Sequence, residues 1–137
     1  MARIRDVVID CVHPASLARF WAAALSGYRV APYDEAEIAR LHAAGIDDLE
    51  DDPTVLVEQA SGGTPRLWFQ LVPEPKLVKN RVHLDLACAD VSAEVDRLSR
   101  LGARVLAEYE GWVTMGDPEG NEFDVVLGEA NGEVGRP

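Results

Sequence analysis

Three short strand-like runs carry imidazole or carboxylate groups at alternating positions. His83 and Asp85 flank Leu84 in Arg81 to Leu86, Glu122 and Asp124 flank Phe123 in Glu122 to Leu127, and Asp6 and Asp10 sit within Arg5 to Val12. Successive strand side chains point to opposite faces, so His83 shares a face with Asp85, Glu122 with Asp124 and Val126, and Asp6 with Val8 and Asp10. An imidazole among carboxylates can exchange protons or give lone pairs to a divalent cation. Each group also has a plainer reading: His83 as a hydrogen-bonded interior imidazole, and Asp10 and Asp85 as residues bonded to backbone or Arg partners. Trp68 and Gln70 share a parity, which sends Phe69 between them to the opposite face. Trp112 stands beside a turn.

Other reactive residues read as structural. Trp21 falls on an apolar helical stripe and is expected in the core. Cys11 and Cys88 lie in apolar segments, as reduced packing residues do. Asp47 to Asp52 holds five acids in six residues, without the alternating ligands and central glycine of a calcium loop, and is expected to be a solvated loop.

Thirteen Lys and Arg against 24 Asp and Glu leave a net charge of −11, a field that repels phosphate backbones and anionic lipid. Neither nucleic acid nor a membrane is therefore expected as a partner. The most apolar stretch, Phe20 to Leu25, is far shorter than the ~20 residues of a spanning helix, and the start of the chain lacks the apolar region of a secretory signal. A cytoplasmic location is expected.

The elements that must position these groups repeat. Arg5 to Val12 reads as a strand, followed by a helix with Pro14 in its first turn, Leu17, Phe20, Trp21, Ala24 and Leu25 on one stripe, and Gly27 at its exit. From Arg81 the order returns: a strand over Val82 to Leu86, Asp90 as N-cap, a helix burying Val91, Val95 and Leu98, and Gly102 as stop. A shift of 75 positions pairs Val7 with Val82, Asp10 with Asp85, Gly27 with Gly102 and Arg29 with Arg104. Strands over Thr54–Gln59 and Arg66–Val72 complete the first copy, and strands over Arg104–Glu108, Trp112–Met115 and Glu122–Leu127 complete the second. Each copy is thus a βαβββ module. The first, about 4–72, carries an inserted helix over 34–45 that opens on an Asp34/Glu37 capping box; a linker over 73–79 leads to the second, about 80–127. Residues 1–127 are expected to form one domain, and 128–137 a flexible tail.

A duplicated βαβββ unit of this length resembles the vicinal oxygen chelate superfamily, which holds glyoxalase I, bleomycin-resistance proteins, fosfomycin-resistance enzymes and extradiol dioxygenases. Leu17-Ala18-Arg19-Phe20-Trp21, Lys79 to Leu86 and above all Asp117-Pro118-Glu119-Gly120-Asn121-Glu122-Phe123 are similar to the glyoxalase-like branch common in actinobacteria. The resemblance implies an α+β fold in which two tandem βαβββ modules form a cup-shaped mixed sheet around a pocket, often in a homodimer. Metal-dependent members place ligands on the first and last strands of each module. Carried onto this chain, those positions fall at Asp6, Gln70, His83 and Asp124.

Such a site would hold one divalent ion, Zn, Ni, Mn or Fe, and leave positions open for a chelating substrate. It would polarise a carbonyl in an isomerase or lyase, with Asp124 and His83 catalytic and Trp68, Asp85, Asp10, Glu122 and Trp112 in contact with the substrate. His13 and His42 lie off these positions, so a ring-cleaving dioxygenase, which needs two histidines and a carboxylate, is hard to build. Family members usually hold Glu where Gln70 and Asp124 stand. That departure supports an alternative, a metal-free protein of the bleomycin-resistance type that sequesters a small apolar or cationic molecule.

Overall fold

The computed structural model describes residues 1–128; the rest of the tail expected over 128–137 lies outside the described residues. The chain divides into two compact units, Met1–Pro75 and one beginning at Lys76. The first contains β1 (Asp6–Cys11), α1 (Pro14–Ala24), β2 (Tyr28–Val30), α2 (Glu35–Ala43), β3 (Thr54–Gln59) and β4 (Arg66–Leu71). The second contains β5 (Asp85–Cys88), α3 (Val91–Leu101), β6 (Arg104–Tyr109), β7 (Trp112–Gly116) and β8 (Glu122–Leu127). Each forms a four-stranded mixed sheet of one topology, β1-β4-β3-β2 and β5-β8-β7-β6, with β1–β4 and β5–β8 parallel. The fold is α+β in two tandem βαβββ modules, as the repeat predicts.

One face of each sheet is apolar and packs against its helix. In the first module Leu67, Phe69, Val55 and Val57 meet the α1 stripe of Leu17, Ala18, Phe20, Trp21 and Ala24, all buried. Phe20 and Trp21 pack edge to face with centroids 5.4 Å apart. In the second module Phe123, Val125 and Met115 lie under α3, which buries Leu98. Val91 and Val95, expected in that core, are only half-buried. The caps form locally: Asp34 accepts from the Glu37 amide and Asp90 from the Ala93 amide, and Gly102 ends α3 at φ 118°.

Three expectations change. The strand expected over Val82–Leu86 begins at Asp85, although the Asp124 amide still donates to the Leu84 carbonyl at 2.9 Å. The acidic run is only partly solvated. Leu49–Asp51 forms a 3-10 turn, Glu50 pairs with Arg19, and Asp52 is buried where its carboxylate accepts from the Tyr33 hydroxyl at 2.7 Å and the Thr54 amide at 3.0 Å. Burial and that carboxylate together push the Tyr33 hydroxyl well above its ordinary pKa.

The third change concerns the repeat. Cys11 and Cys88 donate to matching carbonyls, of Gln70 and Val126, and accept through their own carbonyls from Val72 and Gly128. The helices, 11 residues each, start at Pro14 and Val91. Strand and helix therefore match at a shift of 77, and only beyond the longer exit of α1, where Gly27 is matched with Gly102, does 75 hold. A slip of two preserves strand parity, so alternation alone cannot detect it.

The turn between β7 and β8 fixes the register of the strand that carries Asp124. Asp117 is buried, and its carboxylate accepts from the Glu119 amide at 2.9 Å, the Asn121 amide at 3.0 Å and the Asn121 side chain. Gly120 supplies the positive φ of 85° that the turn requires. Asp117→Ala strands these donors and is expected to cost about 3 kcal/mol in urea unfolding. A loss under about 0.5 kcal/mol, the level of an ordinary surface substitution, would show that the turn does not hold the register.

Candidate functional site

The face of each sheet opposite its helix carries the polar residues. In the second module, register places Asp85 beside Asp124, Asp124 beside Thr114, and Thr114 beside Ala107, one row across all four strands. His83, just ahead of β5, reaches into this row. Its Nε2 lies 3.3 Å from Asp85 Oδ1 and 3.3 Å from Asp124 Oδ2. One ligand atom from each of His83, Asp85 and Asp124 falls within 4.8 Å of the other two. Thr114 Oγ1 donates to the other Asp124 oxygen, Oδ1, at 2.7 Å, which aims Oδ2 at the imidazole.

This donor set fits a divalent cation. Metal–nitrogen and metal–oxygen bonds of about 2.0–2.2 Å put neighbouring ligands roughly 3–3.5 Å apart, the separation of His83 from each carboxylate. Two carboxylates this close repel, and a cation between them offsets that repulsion. The side chains of His83 and Asp85 are 30% and 31% exposed and that of Asp124 15%, so the cluster is reachable from solvent while Asp124 is held more firmly.

The segment ahead of His83 is anchored, which matters because His83 lies outside the ladder. Glu122 accepts from the Asn80 amide at 3.0 Å and from Lys76 Nζ at 3.1 Å, and Asn80 Nδ2 donates to Asn121 Oδ1 at 3.3 Å. Burial acts to raise the Glu122 pKa; the Asn80 amide and Lys76 outweigh it and hold the carboxyl below the usual range. Glu122, expected to touch substrate, thus uses its carboxylate to fasten the linker end.

The first module treats the matching positions differently. Under the shift of 77, and with Cys11 and Cys88 equivalent, Asp6 corresponds to His83 and Val8 to Asp85. Trp68, not Gln70, corresponds to Asp124, and Leu56 to Thr114. Val8, Trp68 and Leu56 make an apolar row. Asp6 forms a two-point ion pair with Arg66, at 2.7 and 3.0 Å, and also accepts from Arg5. Those guanidinium bonds, Arg66 first, hold its carboxyl below the ordinary aspartate value. The Arg66 guanidinium also lies over the Trp68 ring, 5.8 Å from its centroid.

Of the expected ligands, the structure brings His83 and Asp124 together and adds Asp85. Asp6 and Gln70 are kept apart: Asp6 pairs with Arg66 and Gln70 with Asp10, four residues along the strands, or roughly 13 Å. Asp10 and Gln70 are exposed. Trp112 stacks on Tyr109, with centroids 4.7 Å apart and planes at 17°. Thr114 carries no signal of its own in the sequence; the hairpin turn over Asp117–Gly120 places it opposite Asp124 once the strands are paired.

Residues 6–126 match the family described as Glyoxalase-like domain. No curated protein sequence matches the chain. Among solved structures, the chain is similar to a fosfomycin resistance protein from Mesorhizobium loti, at 10% identity and TM-score 0.63, covering 95% of this chain and 94% of that one. A glyoxalase/bleomycin resistance protein/dioxygenase family enzyme from Burkholderia phytofirmans gives 14% identity and TM-score 0.60, with 92% and 98% covered. The trypanothione-dependent glyoxalase I of Leishmania major gives 16% and 0.58, with 93% and 87% covered. At such identities the likeness is one of fold.

The Asp6–Arg66 pair gives stability a defined pH dependence. Because the folded state lowers the Asp6 pKa, the contribution is complete above the ordinary aspartate pKa and disappears as pH falls through the depressed folded value. The stability difference between the protein and Asp6→Asn, measured by urea unfolding from pH 7 down to pH 2, should therefore shrink in acid. A difference independent of pH would refute this role.

Proposed function

The chain belongs to the glyoxalase-like domain family of the vicinal oxygen chelate superfamily, and on that footing we propose that its second module binds one divalent cation through His83, Asp85 and Asp124 and acts on a small oxygen-bearing substrate as an isomerase or lyase. The observation that carries this reading is the convergence of one imidazole and two carboxylates to within 4.8 Å. When bound, the cation supplies Lewis acidity toward a substrate oxygen. Thr114 keeps the Asp124 carboxylate turned toward His83, and the Glu122–Asn80 anchor holds the backbone that carries His83. Asp85, the more exposed carboxylate, is the group available to carry a proton to or from the substrate. With a single histidine in the cluster, the donor set suits this chemistry better than ring cleavage. A cytoplasmic location and a homodimer are the setting that the composition and the superfamily suggest.

A second reading, a metal-free protein that sequesters a small apolar molecule, draws support from the row of Val8, Trp68 and Leu56. The two readings part on metal. Tag-free protein titrated with Mn(II) and followed by electron paramagnetic resonance should bind one ion per chain, and His83→Ala and Asp124→Asn should abolish binding. Thr114→Val should weaken affinity about 10- to 100-fold, with Thr114→Ser restoring it. No uptake of Mn(II), Zn(II), Ni(II) or Fe(II), with an unchanged thermal melt, would remove the metal reading and leave the second.

A further inference from the structure

The row that follows the polar one on the same face of the second module is apolar across all four strands. Ala87 stands beside Val126, Val126 beside Trp112, and Trp112 beside Tyr109. Successive same-face rows lie about 7 Å apart along the strands. Leu106, at the bulge in β6, lies beside Gly116, on the other side of the polar row, and is not part of this strip. Tyr109, in this row, is 53% exposed.

Tyr109 and Trp112 flank the two-residue turn Glu110–Gly111, and a stacked pair there helps to close the hairpin. Hairpin closure accounts for those two residues but not for the row's continuation through Val126 and Ala87, strands away from the turn. What the continuation provides is an apolar strip running parallel to the His83, Asp85 and Asp124 cluster, one row removed from it.

Resting on the metal reading above, we infer that the substrate is an aryl-bearing oxygen compound. Its oxygen-donor head sits at His83, Asp85 and Asp124, and a planar apolar group, carried one or two carbons away, lies on Val126 and Trp112. A divalent ion balances the two carboxylates, so an anionic oxygen donor can approach the polar row. The neighbouring row then distinguishes molecules with a ring from those without one, because only the former remove the half-buried Val126 and Trp112 side chains further from water.

Lactate and 3-phenyllactate present the same head and differ in the ring. With Mn(II)-loaded protein, titrations read by calorimetry and tryptophan fluorescence should show 3-phenyllactate binding at least tenfold more tightly. Trp112→Leu, and independently Val126→Ser should the hairpin variant fail to fold, should narrow that ratio below threefold while Mn(II) and lactate affinities hold. Trp112→Phe, which keeps a stacking ring, should preserve the ratio. Equal affinities for the two acids, or a ratio that survives in the folded variants, would overturn the aryl assignment and leave the metal reading standing. Protein that takes up no Mn(II) would overturn both.

Discussion

Every strand in this chain has two faces, and only one can be spent on the helix that covers its sheet. Alternation sends Phe69 and Leu67 in one module, and Phe123 and Val125 in the other, beneath a helix, where they are nearly free of solvent contact. The residues between them are left on the opposite face by the same constraint. Nothing in the packing of the core dictates their chemistry. Asp124 can therefore stand between two of the most deeply buried residues of its module without disturbing either, and Thr114 can face it across the hairpin.

Two modules of one topology have used that freedom in opposite ways. In the second, the row Asp85, Asp124, Thr114 is polar, and the next, Ala87, Val126, Trp112, is apolar. In the first, the row at the equivalent level is Val8, Trp68, Leu56, and the next is Asp10, Gln70, Thr54. The inversion leaves the cores intact because both versions present apolar groups to the helix. It also concentrates the candidate chemistry in a single module. Asp6, at the position matching His83, is committed to Arg66 in an ion pair that serves structure.

Local signals were legible in the sequence and long-range ones were not. The caps at Asp34 and Asp90, the strand Glu122–Leu127 and the module order follow from residues within a few positions of one another. β5 starts only at Asp85 because Val82, a strong strand former, is 78% exposed and has no ladder partner to reward its preference. The burial of Asp52 is invisible in its acidic run, because the Tyr33 hydroxyl that satisfies it comes from 19 residues away. Gln70 shows how alternation leaves a position open. Gln70 and Trp68 share a parity, and only the pairing of β1 with β4, across some 60 residues, shows which of them matches Asp124. For Asp124, by contrast, the apolar neighbours Phe123 and Val125 fix the face from the sequence alone.

A cation held by His83, Asp85 and Asp124 would have one imidazole ligand, supplied by the second module. Electron spin echo envelope modulation of Mn(II)-loaded protein counts coupled imidazole nitrogens directly. Modulation from one histidine, lost in His83→Gln, is expected. Modulation from two histidines, or a single-histidine signal that persists in His83→Gln, would contradict it.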